Sequence, residues 1–162
     1  MKGLQIKKVD YLDRRQAIDL VSMLQAYALN EQGGGKPLKK EVTEELVEKL
    51  ANFSGAVSFL AYVNNIPIGL ANCFYGFSTF NAKPLLNIHD LAVLKDHRRK
   101  GVGKALLLAV ENEAKETNCC KITLEVLQHN TKAQKVYRSF GFSGYNLGEK
   151  ENHALFWEKK LN

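Results

Sequence analysis

A short basic segment that contains two glycines offers the clearest chemistry in this sequence. It follows an apolar stretch with strand character and leads into a helical pattern. Its members are Arg98, Arg99, Lys100, Gly101, Val102, Gly103 and Lys104. The first N–H groups of a helix have no partner within the helix, and with the helix dipole they attract an anion. Because glycine lacks a Cβ and the cations add charge-assisted hydrogen bonds, the segment predicts a phosphate site.

Two familiar phosphate motifs do not fit this segment. A dinucleotide-binding fingerprint needs a third glycine where the chain has Leu106, and a P-loop needs Ser or Thr where it has Ala105. The pattern that remains is Arg-x-x-Gly-x-Gly. The net charge of +6 suits a polyanionic partner. We rank nucleic acid below a phosphorylated cofactor because no nucleic-acid-reading motif accompanies the basic run.

Hydrophobic periodicity places the segment within an α/β arrangement. Strands are predicted over 4–9, 56–63, 66–75, 85–94, 121–127 and 153–159, and helices over 13–28, 39–50, 101–117 and 131–140. Asn64 and Asn65 predict a tight turn, and residues 76–84 predict a loop that carries Phe77 and Phe80. This order predicts one domain over residues 1–162, with a mixed sheet flanked by about four helices.

The composition restricts the class of protein. Apolar residues make up 45% of the chain, which is enough for one buried core. No stretch approaches the roughly 18 uninterrupted apolar residues of a membrane span, and the first ten residues lack an apolar leader. We therefore expect a cytoplasmic protein without a membrane span. The histidines and cysteines lack metal-ligand spacing, so we predict no metal.

Residues 98–103 are similar to the pyrophosphate-binding motif of the GNAT superfamily of N-acetyltransferases. The resemblance continues downstream at Leu124, Glu125, Val126, Asn130, Ala133, Tyr137, Phe140, Gly141 and Phe142. It extends to the element order and covers essentially the whole chain. It implies a mostly antiparallel sheet with one splayed pair of parallel strands. It also implies an enzyme that transfers an acetyl group from acetyl-CoA to a primary amine, by direct attack in a ternary complex.

The resemblance also assigns the cofactor site. The backbone of Leu91, Ala92 and Val93 would bind the pantetheine arm in the opening between the parallel strands, and residues 98–104 would hold the pyrophosphate. Asn130 would form a hydrogen bond with the cofactor near its thioester. The alternative for the basic segment is a solvated turn, which leaves its two glycines unexplained.

The resemblance assigns one residue as the acid and leaves more than one candidate for the base. Tyr137 would protonate the departing CoA thiolate, since a phenol of ordinary pKa about 10 matches a thiolate in basicity; the alternative is a core aromatic. Glu125 lies twelve residues earlier, the base-to-acid spacing of ribosomal-protein alanine acetyltransferases in this superfamily. We expect it in a buried strand, as a base or as a structural carboxylate that pairs with a cation.

His89 and Asp90 compete with Glu125 from the adjacent strand. Asp90 would order the acceptor amine, and His89 would act as a general base near neutral pH. Because successive strand residues point to opposite faces, we expect only one of the two to face the substrate. The alternative is that either is a satisfied polar group of the core.

The acceptor pocket is the least specific part of the prediction. By resemblance, Tyr27 and Asn30 with the glycines at 33–35, and Phe80 with its loop, would form the pocket walls. The alternatives are a flexible linker for the glycines and core packing for the aromatics. We favour a small-molecule amine or amino acid over a protein N-terminus or lysine. A non-catalytic acyl-CoA sensor and a homodimer also remain open.

Overall fold

The structure is a computed structural model that describes residues 2–144. The strands are β1 Leu4–Lys8, β2 Ala56–Val63, β3 Ile66–Ser78, β4 Lys83–Val93 and β5 Ile122–Leu124. The helices are α1 Arg14–Ala28, α2 Lys40–Asn52, α3 Val102–Glu116 and α4 Thr131–Ser139, with short 3₁₀ turns at Glu31–Gly33 and Lys95–His97. The described residues form two compact units, one up to Glu125 and one that begins at Val126. The predicted strand over 153–159 lies outside the described residues, and the single-domain prediction stays a prediction.

The sheet of the first unit confirms the predicted mixed architecture. Its strands lie in the order β1-β2-β3-β4-β5, and neighbours are antiparallel except for the parallel pair β4–β5. Local signals explain the ends of the elements. The Asp13 carboxylate accepts the N–H groups of Arg15 and Gln16, which begins α1. Asn64 and Asn65 both adopt positive φ in the turn between β2 and β3.

Helices cover both faces of this sheet. On one face, Leu60 and Leu70 pack in a buried cluster with Leu20 and Met23 of α1 and Leu50 of α2. On the opposite face lies α3, which is held close to the sheet at a glycine of β3. A Cβ on Gly69 would lie 3.1 Å from side-chain carbons of Val102 and Leu106. The absence of this side chain lets the beginning of α3 approach the sheet beside the end of β4.

Two sequence expectations are wrong in detail. The strands β3 and β4 extend into the predicted 76–84 loop and leave only a tight turn at 79–82, so Phe77 belongs to β3. The strand β5 ends at Leu124, short of the predicted end at 127. Residues 33–35 form a turn in which the N–H groups of Gly33 and Gly35 both donate to the Asn30 carbonyl oxygen. A Cβ on Gly33 would lie 2.1 Å from the Tyr27 carbonyl oxygen, so only glycine fits there.

A buried carboxylate ties α3 to the sheet. Lys8 Nζ donates to both oxygens of Glu113 at 2.7 and 2.8 Å, and the Tyr75 hydroxyl donates to Oε1 at 2.7 Å. Burial acts to raise the pKa of Glu113, but the hydrogen bonds from Lys8 and Tyr75 outweigh it and lower the pKa below its ordinary value of 4.5. The ionised form is therefore the one that stabilises the fold.

We expect Glu113→Gln to lower the free energy of unfolding at pH 7 by about 2 kcal/mol, because a hydrogen-bonded ion pair is lost. A lowered carboxyl pKa contributes stability above the ordinary value, and this stability disappears as the pH falls through the lowered value. The variant should therefore lose less stability than the parent below about pH 4.5. Urea denaturation at pH 7 and at acidic pH measures both effects. Glu111→Gln, which breaks the more exposed pair with Lys115, is the control; an equal effect there would contradict the prediction.

Candidate active site

The end of β4 presents backbone groups that no strand in residues 2–144 pairs with. Its pairing with β5 ends at Ile88, whereas β4 continues to Val93. The Leu94 N–H donates to a carbonyl oxygen of β3 at 2.9 Å. Since N–H groups alternate in direction along a strand, those of Leu91 and Val93 point away from β3. The parallel pair thus opens at this point, as predicted, and leaves an edge of donors and acceptors.

The basic segment joins this edge to the beginning of α3. Arg99 and Gly101 adopt positive φ values of 59° and 86°, which turns the chain sharply before the helix. The first helical hydrogen bond runs from the Ala105 N–H to the Gly101 carbonyl oxygen at 3.0 Å. The N–H groups of residues 102–104 precede it, and Gly101 has no side chain to accept from them. The helix therefore begins with a group of N–H donors suited to an anion.

The space in front of this helix end is open. A Cβ on Gly103 would meet only the Val93 side chain, at 3.9 Å. The four cations of the segment are all exposed to solvent; they are Arg98, Arg99, Lys100 and Lys104. The predicted phosphate-binding residues thus lie together at one corner, with room for a group to approach the backbone.

Arg98 has protein partners of its own within this corner. Its Nε donates to the Val93 carbonyl oxygen at 2.9 Å, and its Nη2 lies 3.5 Å from Asn30 Oδ1. Asn30 in turn donates to the Ala26 carbonyl oxygen at 2.6 Å. Arg98 therefore links the end of β4 to the turn that follows α1, the region predicted to form a wall of the acceptor pocket.

A β-bulge changes the side-chain pattern of β4. Asn72 of β3 pairs with Asp90, but the next residue of β3 pairs with Ile88, so His89 is an extra residue in β4. Asn72 donates to Asp90 Oδ2 at 3.0 Å, and the His89 ring lies 5.6 Å from the Phe74 ring. Since Asn72 and Phe74 are two residues apart, they share one face of the sheet. His89 and Asp90 therefore lie on the same face, and the expectation that only one could do so is wrong.

Glu125 extends this polar face. Asn87 is paired with Phe74 and with Thr123, and its Nδ2 donates to Thr123 Oγ1 at 3.0 Å and to Glu125 Oε1 at 3.5 Å. Glu125 is exposed and follows the end of β5, so the expectation of a buried strand residue is wrong. The bulge and the short β5 thus direct His89, Asp90 and Glu125 to one side of the sheet.

A row of hydrogen bonds, buried at its centre, leads to Asp90 across three strands. The Tyr11 hydroxyl lies 2.9 Å from Ser58 Oγ, which lies 2.7 Å from Asn72 Oδ1, and Asn72 Nδ2 donates to Asp90. Sequence reasoning missed these three residues. The signal was present, because Ser58 and Asn72 are isolated polar residues within otherwise apolar strands.

Tyr27 lies within electrostatic reach of the same carboxylate. Its hydroxyl donates to the Gln32 carbonyl oxygen at 3.4 Å. Burial raises the pKa of Tyr27, and the negative charge of Asp90 raises it further. This places one predicted pocket residue near another. Phe80, by contrast, lies fully exposed in the turn between β3 and β4.

The second unit carries the two remaining predicted residues. Asn130 Oδ1 accepts the Ala133 N–H at 3.2 Å and so caps the beginning of α4. Tyr137 lies on α4, and its ring meets the Phe142 ring edge-on at 5.9 Å. Gly141, with φ of 101°, ends α4 as predicted.

Among residues 2–144, no three His, Cys, Asp or Glu residues come together in a way that would hold a metal ion. Within the same range, no helix has both the length and the apolar character that crossing a bilayer requires.

Comparisons with known proteins agree on one family. The sequence profile of the Acetyltransferase (GNAT) family matches residues 20–142. The chain is similar to aminoglycoside N(6')-acetyltransferase type 1 of Salmonella typhimurium, with 25% identity over 116 residues that span 70% of this chain and 76% of the relative. It is also similar to streptothricin acetyltransferase A of Bacillus subtilis, with 32% identity over 117 residues that span 72% of this chain and 65% of the relative.

The fold is shared with solved structures. An aminoglycoside N-acetyltransferase in complex with CoA superimposes with a TM-score of 0.75 at 20% identity, over 98% of this chain and 95% of that one. A likeness at this level of identity concerns the fold alone.

Proposed function

Since the chain belongs to the GNAT family of acetyltransferases, we propose that it transfers an acetyl group from acetyl-CoA to a primary amine of a small molecule or amino acid, by direct attack in a ternary complex. One observation carries this proposal. A single strand, β4, ends in a backbone edge that no strand in residues 2–144 pairs with, beside the end of α3 whose N–H donors suit an anion, and it presents the Asp90 carboxylate just before that edge. The names of the two relatives, an aminoglycoside and a streptothricin acetyltransferase, favour a small-molecule acceptor.

The residues at the end of β4 fit the cofactor. Acetyl-CoA supplies an acetyl group activated as a thioester. The N–H groups of residues 102–104 and the cations of residues 98–104 suit its pyrophosphate. The backbone edge over 91–93 suits the amide groups of the pantetheine arm, and one of its N–H groups would stabilise negative charge on the carbonyl oxygen. From the second unit, we assign Asn130 to the cofactor and Tyr137 to protonation of the thiolate.

The polar face of β4 suits the amine. An alkyl amine is protonated at neutral pH, so it needs an anionic partner and then a proton acceptor before it can attack. We assign Asp90 to hold the ammonium group, because it is half-buried and held by Asn72. We assign Glu125, on the same face, to accept the proton, with His89 as the alternative acceptor. Tyr27, whose pKa the charge of Asp90 raises, would form a wall of this pocket.

The first experiment is an acetyl-CoA titration by calorimetry, followed by an amine panel in which release of CoA is measured. The panel holds kanamycin, a streptothricin, spermidine, lysine and a short peptide with a free N-terminus. Saturable binding and turnover of a small amine are expected. The absence of acetyl-CoA binding would contradict the proposal at its first step. Binding without turnover of any amine would instead indicate a sensor, and turnover of the peptide alone would contradict the small-molecule assignment.

Gly103→Ala separates cofactor binding from folding. The added methyl group meets only Val93, at 3.9 Å, and alanine favours a helix over glycine by about 0.5–1 kcal/mol. We therefore expect an unchanged or higher melting temperature. The same methyl group would occupy the space assigned to the pyrophosphate, so acetyl-CoA affinity should fall about tenfold or more.

The matched control is Leu108→Ala, which changes an exposed side chain of the same helix. We expect the parent affinity for acetyl-CoA there. If Gly103→Ala binds acetyl-CoA as tightly as the parent, the pyrophosphate does not lie against this end of α3.

A further inference from the structure

We propose that Tyr11, Ser58 and Asn72 form a positioning chain that orients the Asp90 carboxylate toward a cationic amine. The positioning chain denotes these three residues and their hydrogen bonds. The inference rests on the proposed function, because it assumes that the cation is the acceptor amine. None of the three residues touches the amine in this proposal; each acts through Asp90.

The direction of the hydrogen bonds follows from the chemistry of the last member. A carboxylate only accepts, so the Asn72 amide nitrogen faces Asp90 and its oxygen faces Ser58. The Ser58 hydroxyl must then donate to Asn72, at 2.7 Å. Since this uses the one proton of Ser58, the Tyr11 hydroxyl donates to Ser58, at 2.9 Å. Every proton in the positioning chain therefore points toward Asp90.

Burial makes this arrangement rigid. Ser58 is 1% and Asn72 is 4% exposed, so each would be costly to bury without its partners. The Asn72 amide is fixed in this orientation, because turning it would set its oxygen against the Asp90 carboxylate, and two acceptors would then face each other. One oxygen of Asp90, Oδ2, is held by this chain. We assign the other oxygen, Oδ1, to the ammonium group.

Each face of the sheet carries a hydrogen-bonded carboxylate, but only one of the two carboxylates has a cationic partner among residues 2–144. On the face toward α3, the Glu113 carboxylate accepts from Tyr75 and forms an ion pair with Lys8. On the face toward α1, Asp90 ends a longer chain of donors, yet among residues 2–144 it forms no ion pair with Lys or Arg. A held carboxylate without a cation from the described residues is suited to bind one from the substrate.

The test removes hydroxyl groups from the positioning chain, both in the presence and in the absence of the Asp90 charge. Ser58→Ala and Tyr11→Phe are made in the parent and in an Asp90→Asn background. The matched control is Tyr75→Phe, the same loss of a hydroxyl group on the opposite face. The readouts are kcat/KM for the acetylated amine, calorimetric affinity for kanamycin, affinity for acetyl-CoA, and melting temperature.

We expect kcat/KM for the amine and kanamycin affinity to fall about tenfold in Ser58→Ala and about threefold in Tyr11→Phe, with acetyl-CoA affinity unchanged. In the Asp90→Asn background each loss should shrink below about twofold, because residues that act through one partner are not additive. Tyr75→Phe should leave both values as in the parent. If Ser58→Ala does not fold, Tyr11→Phe provides the same comparison at the half-buried end of the positioning chain.

Losses that persist in the Asp90→Asn background, or an equal loss in Tyr75→Phe, would overturn the positioning chain. A parent protein that binds kanamycin but acetylates no amine would contradict the proposed function alone, and the kanamycin affinities would then decide the positioning chain. A parent protein that neither binds kanamycin nor acetylates any member of the panel would overturn both.

Discussion

Asp90→Asn is expected to lower kcat/KM for the acceptor amine about 100-fold, mainly by raising KM. Asparagine keeps the shape of the side chain, and its amide oxygen can still accept from Asn72, so the buried hydrogen bonds survive. The substitution removes only the negative charge of Asp90, which we propose binds the ammonium group. Loss of one partner from a desolvated charge pair costs about 2–5 kcal/mol, and each 1.4 kcal/mol corresponds to a factor of ten. Steady-state kinetics with varied amine at saturating acetyl-CoA measures the effect.

Two substitutions on the same face serve as comparisons. Glu125→Gln should lower kcat and change KM little, since we assign it to accept a proton from an amine that Asp90 has already bound. His89→Asn should have the smaller effect if Glu125 is the acceptor. An Asp90→Asn protein that keeps kcat/KM within about threefold of the parent would remove Asp90 from the site. A loss of acetyl-CoA affinity instead would place Asp90 on the cofactor side.

Much of the cofactor corner could be predicted because its signal is local. A strand, a basic turn with two glycines and a helix are adjacent in sequence, so neighbouring residues determine the geometry. The structure places the open space of Gly103 and the exposed cations of residues 98–104 together. The mixed sheet was likewise predictable from the order of the elements along the chain, and the parallel pair and its opening from the family resemblance.

The amine side could be predicted only in part, because a register shift decides it. Simple alternation sends His89 and Asp90 to opposite faces, and one extra residue in β4 reverses that result. No sequence feature of His89 marks it as a bulge, since the bulge depends on pairing with a strand about fifteen residues away. Glu125 shows the same limit: its apolar neighbours favour a strand, but the actual pairing ends at Leu124.

The missed residues follow from the same distinction. Ser58 and Asn72 lie in separate strands, and only the pairing of β2 with β3 places them opposite each other. Each alone is an isolated polar residue in an apolar strand, which signals a buried hydrogen bond without naming its partner. The tertiary fold supplies the partner, and here it connects the core to Asp90, the carboxylate that we assign to the ammonium group.

Tyr137→Phe is expected to lower kcat about 100-fold while KM for the amine and affinity for acetyl-CoA stay within about threefold. The substitution removes one oxygen and keeps the ring that packs against Phe142 in the second unit. If the hydroxyl group protonates the departing thiolate, its loss affects the chemical step and not the binding of either substrate. Single-turnover measurements report that step directly, because product release does not contribute to them.

Tyr75→Phe is the matched control, since it removes a hydroxyl group that binds Glu113 on the face toward α3. It should lower the melting temperature slightly and leave the single-turnover rate unchanged. A Tyr137→Phe protein with the parent rate would exclude Tyr137 as the acid and leave water to protonate the thiolate. A protein that instead loses acetyl-CoA affinity would assign Tyr137 to binding, because a proton donor to the leaving group acts only once the thioester begins to break.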